Sequence, residues 1–117
     1  MAFDFERFPV YRLALDYARE VEDLLLLLDL PKNSRISDQL SRASLSIALN
    51  IAEGAGRYGK ADKKHFYITA RGSTFECVAI LDVLKAKNKI DATKYNWHYS
   101  MLEELSKMLS GLINSQK

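Results

Sequence analysis

The stretch FYITARGSTFECVAILDVL at residues 66–84 decides the fold class, because its apolar and small residues recur at helical spacing. The intervals between them are four, three, four, three and four residues. This period is typical of a helix packed nearly parallel to its neighbours. The stretch therefore predicts a long helix. Its buried face is predicted to consist of Phe66, Ala70, Ser73, Cys77, Ile80 and Leu84.

Three further segments show the same periodicity, and breaks at residues 30–34, 53–59 and 87–91 separate the four. A proline ends the first segment, glycines relax the middle break, and Ser34 and Asp91 can cap the helices that follow them. Four helices with short connections predict an all-α, antiparallel up-and-down four-helix bundle. The other predicted stripes are Val10, Ala14, Tyr17, Val21, Leu24 and Leu28; Ile36, Leu40, Ala43, Ile47 and Ile51; and Trp97, Met101, Leu105, Met108 and Leu112.

Composition agrees with a single globular domain over residues 1–117, since 48% of the residues are hydrophobic, 27% are charged, and only five are glycine. The one cysteine can form neither an internal disulfide nor a cysteine-based zinc site. The longest apolar run, residues 24–28, is too short to span a bilayer, and the first residues are acidic where a signal peptide is basic. We expect a cytoplasmic protein without membrane segment or cofactor.

More apolar residues are present than one bundle core requires. A second apolar face at helical spacing usually packs against a partner, which predicts a homo-oligomer. A wide core stripe with scattered surface hydrophobes is the alternative. The extra positions are Leu25, Leu26, Leu27, Leu45, Leu49, Ala52, Tyr67, Ile68, Phe75 and Leu81.

Charge is divided unevenly along the chain, although the net charge is only +2. Residues 1–30 hold three Lys or Arg against seven Asp or Glu, a net charge of −4. Residues 31–90 hold eleven against five, a net charge of +6. This asymmetry indicates either a basic binding face or electrostatic pairing between subunits.

A basic cluster around the middle break is the candidate nucleic-acid site. Cations of this kind neutralise phosphates, and the interleaved Tyr58 and Tyr67 could stack on bases. An ordinary solvated helix surface is the alternative. The cluster consists of Arg57, Lys60, Lys63, Lys64 and Arg71.

Polar residues at matching levels of the second and third segments predict a network that sets the register of two helices, with a ligand site as the alternative. Gly72 lies mid-helix, where glycine costs about 1 kcal/mol relative to alanine, so another helix is expected to approach it closely. The network residues are Asn50, Glu53, Gly54, Arg71, Gly72, Ser73 and Glu76.

Catalytic and metal-binding patterns are weak. A di-iron bundle needs two Glu-x-x-His pairs, and only one of the two histidines has a carboxylate three residues earlier. Some all-helical ribonucleases place an arginine four to six residues before a catalytic histidine. Here Lys60 precedes His65 by five residues and Arg57 precedes it by eight. Because Cys77 lies on the predicted core stripe, we expect its thiol to be buried and inert. Since none of these patterns is complete, we predict that the chain is not an enzyme and has no metal site.

Two stretches resemble the four helix bundle protein family, first recognised as the product of reading frames within intervening sequences of bacterial 23S ribosomal RNA genes. They are SLSIALNIAEG at residues 44–54, followed by Gly56 and Arg57, and FYITARGSTFE at residues 66–76; the opening FPVYRLA at residues 8–14 also fits. The positions that match the family pattern are Asn50, Glu53, Gly54, Arg57, Ala70, Gly72, Ser73 and Glu76.

The resemblance implies a bundle that assembles as a barrel-like pentamer and has no known catalytic function. A related branch, the accessory protein of diversity-generating retroelements, contacts nucleic acid through a basic surface and partners a reverse transcriptase. Three hypotheses follow for this chain. It binds RNA or DNA, it is a scaffold for a protein partner, or it is a ribonuclease that uses His65.

Overall fold

A computed structural model describes residues 3–116 and shows, in that range, α-helices without any β-strand. A 3-10 helix at Asp4–Arg7 precedes α1 (Pro9–Leu27), α2 (Arg35–Ala55), α3 (Lys60–Ala86) and α4 (Ala92–Asn114). The prediction of an all-α four-helix bundle is confirmed. Within the described range, every helix is too short or too polar to cross a membrane.

Contacts between α2 and α3 show how neighbouring helices run. Ser46 contacts Ser73, whereas Gly54, eight residues further along α2, lies against Tyr67, six residues earlier in α3. The two helices are therefore antiparallel. Helices α2 and α3 share the most extensive interface, and α1 and α4 share the smallest of the four helix–helix interfaces.

The helix ends use the capping residues that the sequence predicts. Ser34 accepts a hydrogen bond from the Ser37 amide at 3.2 Å, and Asp91 accepts one from the Lys94 amide at 2.8 Å. These bonds satisfy amides that have no partner inside the helix. After α3, Asn88 takes a left-handed conformation with φ of 57°, which turns the chain toward α4.

The core confirms the predicted stripes of α1 and α2, except that Leu28 and Ile36 at their ends are half-buried, and it corrects the stripe of α3. Tyr67 and Leu81 are buried there, although the sequence placed them outside the core, and Phe66 and Ile80 are only half-buried. In each case the buried residue is the next one along the chain. Where two adjacent residues of a helix are both apolar, the periodicity is compatible with burial of either one, and the tertiary packing decides which is buried.

The predicted buried face of α4 is only partly right. Leu105 is buried, and Met101, Met108 and Leu112 are half-buried and pack against the core. Trp97, which opens the predicted stripe, is 45% exposed, whereas the adjacent His98 is buried. Nδ1 of His98 lies 3.0 Å from the hydroxyl oxygen of Tyr17 in α1, and this hydrogen bond makes the burial of a polar ring tolerable. The buried residues of α4 are His98, Leu102, Leu105 and Leu109.

Candidate nucleic-acid interface

The connection between α2 and α3, residues 56–59 and here called the α2–α3 turn, is held by backbone and side-chain hydrogen bonds. The Gly56 amide donates to the carbonyls of Ala52 and Glu53, both at 3.2 Å, and the Arg57 amide donates to Gly54 at 3.1 Å. These bonds occupy carbonyls at the end of α2 that would otherwise need solvent. The backbone of the turn is therefore well fixed as far as Arg57.

Gly54 allows α3 to approach the end of α2 closely. A Cβ atom there would lie 2.6 Å from Cε1 of Tyr67 and 3.0 Å from Cβ of Phe66. Real Cβ atoms do not come so close to a ring carbon, so only glycine fits without a shift of the Tyr67 ring or of the helices. Gly54 thus belongs to the packing that positions the turn.

Arg57 leaves the α2–α3 turn with its guanidinium held by a ring. The group lies 4.6 Å from the centroid of Phe66, and its Nη2 atom is 4.0 Å from a carboxylate oxygen of Glu53. The side chain keeps 48% of its surface exposed. An arginine stacked on a ring is pre-oriented and still has N–H groups to offer an anion.

The three lysines of the cluster differ in their surroundings. Nζ of Lys63 donates to the Ala55 carbonyl at 2.9 Å and so caps the end of α2. Lys60 is exposed at the start of α3, and Lys64 is half-buried one turn later. Lys60 and Lys64 therefore form the edge of the cluster, while Lys63 is engaged in holding the turn.

Arg71 lies seven residues after Lys64, on the same face of α3. Its guanidinium is 4.7 Å from the centroid of the Phe75 ring. Among the residues that the structure describes, its buried Nε has no hydrogen-bond partner. Arg71 therefore continues the line of positive charge along α3, as an arginine stacked on an aromatic ring.

The two tyrosines interleaved with the cluster have opposite environments. Tyr58 is fully exposed in the α2–α3 turn. Tyr67 is only 2% exposed, and burial raises the pKa of its hydroxyl. The expectation that Tyr67 could stack on a base is wrong, because its ring packs against Gly54.

Sequence comparison shows what kind of protein carries this arrangement. The sequence profile described as 23S rRNA-intervening sequence protein matches residues 6–111. The chain belongs to this family. It is also similar to a crystal structure of a protein of unknown function from the S23 ribosomal protein family of Bacteroides thetaiotaomicron. The two are 25% identical, with a TM-score of 0.83 over 89% of this chain and 97% of the other. No curated protein is detectably similar in sequence.

In this member of the 23S rRNA-intervening sequence protein family, part of the predicted polar network joins α2 to α3. Nδ2 of Asn50 donates to both the carbonyl and Oγ of Ser46, each at 2.9 Å. Oγ of Ser73 donates to Oγ of Ser46 at 3.0 Å, and Ser73 as a whole is 8% exposed. Ser46 links the two helices, and sequence reasoning missed this role because an isolated serine on a helix gives no signal.

The other members of the predicted network lie apart from it. Glu53 faces Arg57, Glu76 is exposed, and Arg71 stacks on Phe75. The expected close approach to Gly72 is wrong, since a Cβ atom there would have no neighbouring atom of the described residues within 4 Å. Helix α3 turns this glycine toward solvent, away from α2.

The candidate catalytic residues of this family member do not form a common site. His65 is exposed and makes an edge contact with Phe66, at 5.5 Å between ring centroids. Cys77 is buried in the core, and burial raises the pKa of its thiol to about 12. Among residues 3–116, no three His, Cys, Asp or Glu side chains are grouped as metal ligands.

A groove of about 400 Å³ runs between α3 and α4 beyond Arg71. Its floor is apolar, and Glu103 and Lys107 lie among its lining residues. Phe75 lines it and remains 54% exposed. The α3 face that carries the line of positive charge therefore also carries apolar surface.

Proposed function

We propose that this family member is a non-enzymatic, self-associating bundle that binds structured RNA or DNA through the α2–α3 turn and the adjoining face of α3. The supporting observation is a group of four cations, Arg57 in the α2–α3 turn and Lys60, Lys64 and Arg71 along one face of α3, together with an exposed tyrosine in the same turn. Two of the four are arginines held over aromatic rings. Such side chains lose little freedom when they meet a phosphate.

The position of the acidic residues supports the same proposal. Most carboxylates of the first 30 residues lie on α1, whose contacts within the bundle are with α2, α4 and the 3-10 helix rather than α3. The basic face of α3 is thus separated from the strongest negative charge of the same subunit. Repetition of this face in an oligomer would add weak contacts through multivalency.

Binding to fragments of ribosomal RNA over a salt series tests the proposal. Four phosphate contacts predict a slope of log affinity against log salt of about −3 to −4. The double variant Lys60→Gln/Lys64→Gln should reduce that slope by about 2. Lys87→Gln/Lys89→Gln, at the opposite end of the bundle, is the matched control. Absence of binding at low salt, or equal effects of the two double variants, would refute the proposed site.

Self-association is supported by apolar side chains left on the surface of α2. Leu45 and Leu49 lie one helical turn apart and are 49% and 53% exposed. Exposed leucines at this spacing are typical of a helix face that packs against another helix. Light scattering should report an oligomer, for which the family resemblance predicts five subunits. Leu45→Asp/Leu49→Asp should reduce the mass, and a monomeric wild type would contradict the proposal.

A scaffold for a protein partner is the second candidate, favoured by the apolar groove beside Phe75. Purification of a stoichiometric protein partner free of nucleic acid would favour this function. A ribonuclease that uses His65 is the enzymatic alternative. Cleavage of the RNA fragments that disappears in His65→Ala would establish it and would overturn the non-enzymatic proposal.

A further inference from the structure

Tyr58 is the most exposed of the large hydrophobic side chains in the described part of the chain. The other aromatic residue of the cluster, Tyr67, is buried in the bundle. Burial of aromatic surface is what makes such residues stabilise a fold, and Tyr58 buries none of its surface. Its ring is available to a ligand on both faces.

The backbone beneath Tyr58 is fixed from the side of α2. The hydrogen bond from the Arg57 amide to Gly54 holds the residue before it. The bond from Lys63 to the Ala55 carbonyl ties α3 back to the end of α2. On the far side, Gly59 is the N-cap of α3. An anchored backbone reduces the entropy lost when the side chain is ordered by a ligand.

Cations lie on both sides of Tyr58 in the sequence. Arg57 precedes it directly, and Lys60 and Lys64 occupy the first two turns of α3. Glu53 and Asp62 are the nearby carboxylates, so the positive charge is in excess. An exposed ring with cations before and after it in the sequence matches the repeating chemistry of a nucleotide strand, in which each base is flanked by phosphates.

We propose that Tyr58 stacks on an unpaired base, while Arg57, Lys60 and Lys64 contact the phosphates on either side. This inference rests on the proposed nucleic-acid function and restricts the class of nucleic acid that the site binds. In a perfect duplex, neighbouring base pairs cover both faces of each base, whereas loops, bulges and single strands offer free faces. The ligand is therefore a nucleic acid with at least one unpaired nucleotide.

Fluorescence anisotropy with three labelled oligonucleotides tests the inference. They are a single strand, a hairpin with an unpaired loop and a perfect duplex, compared at one low salt concentration. Tyr58→Ala should weaken binding of the single strand and the hairpin loop by about 5-fold to 150-fold, the loss expected for one stacked base. Binding of the duplex should change by less than about 2-fold. Tyr58→Phe, which keeps the ring, should retain the affinity for all three.

Tyr99→Ala is the matched control, since Tyr99 is also partly exposed but lies on α4 in the groove beside Phe75. Equal effects of Tyr58→Ala and Tyr99→Ala, unchanged single-strand affinity in Tyr58→Ala, or tighter binding of the duplex by the wild type would overturn the stacking role. Each of these results would leave nucleic-acid binding in place. Failure of the wild type to bind any of the three oligonucleotides would overturn the proposed function itself.

Discussion

Acidification should destabilise the bundle through His98, which α4 buries against Tyr17 of α1. Burial disfavours the imidazolium ion and lowers the pKa of His98 from 6.5 to about 4. The unfolded chain therefore takes up a proton between these two values, and the folded chain does not. Because the unfolded state binds more protons in this range, the free energy of unfolding falls as the pH falls from 6.5 toward 4.

The size of the effect follows from the two pKa values. Above pH 6.5 the imidazole is mostly neutral in both states and adds no pH dependence. At about pH 5 the loss of stability relative to about pH 8 is at most about 2 kcal/mol. Charged side chains of both signs, Glu20, Asp23 and Lys94, line the same groove as His98, and the burial of the ring is the cause of the lowered pKa.

Urea denaturation followed by circular dichroism measures this loss at several pH values between about 8 and 5. The range stops there because carboxylates such as Asp91, whose pKa is lowered from 3.8 by hydrogen bonds to Lys94, titrate at lower pH. His98→Gln removes the titrating ring and keeps a side chain that can hydrogen-bond to Tyr17. His65→Gln, which removes the exposed histidine, is the control.

The dependence of stability on pH should differ between His98→Gln and its control. His98→Gln should lose most of the pH dependence in this range whatever its stability at pH 8, and His65→Gln should keep the wild-type profile. A wild-type stability that stays constant between about pH 8 and 5 would refute the argument from burial. So would a His98→Gln profile that falls as steeply as that of the wild type.

Three substitutions test the packing and the helix ends by urea denaturation. Gly54→Ala should destabilise the protein by about 1–3 kcal/mol, because the new Cβ atom would press on Tyr67, and an unchanged stability would contradict that close contact. Gly72→Ala should instead stabilise it by about 0.5–1 kcal/mol, since a Cβ atom there meets no described neighbour within 4 Å; a loss would mean that the site is crowded. Asp91→Ala should lower the urea concentration at the midpoint of unfolding through the lost cap of α4, and Asp91→Asn should recover most of the loss.

Sequence reasoning located the helices better than their buried faces. Ser34 and Asp91 predict helix starts because their side chains can accept a hydrogen bond from a backbone amide in the first turn, and the structure shows both caps. The buried face of α4 could not be read in the same way, because Trp97 is the more apolar of two adjacent candidates and His98 is the buried one. Burial of His98 depends on Tyr17, which is 81 residues away in sequence.

The candidate interface, like the helices, was predicted from the sequence only in part. The basic residues were visible as a cluster, but their separate environments were not. Lys63 holds the end of α2, and Tyr67 fills the space above Gly54, so neither is available as the sequence suggested. Tyr58 and Lys60 remain at the surface. The sequence spacing does not distinguish these two residues from Lys63 and Tyr67, because exposure depends on which side of α3 faces α2.

The sequence by itself determined the four helices, their order and the unequal distribution of charge between α1 and the middle of the chain. These properties follow from residues close together in the chain, through capping, periodicity and composition. Only the tertiary structure decided which of two adjacent side chains enters the core and which stays at the surface. That choice depends on contacts between helices, such as those of Gly54 with Tyr67 and of Tyr17 with His98, whose partners are distant in sequence.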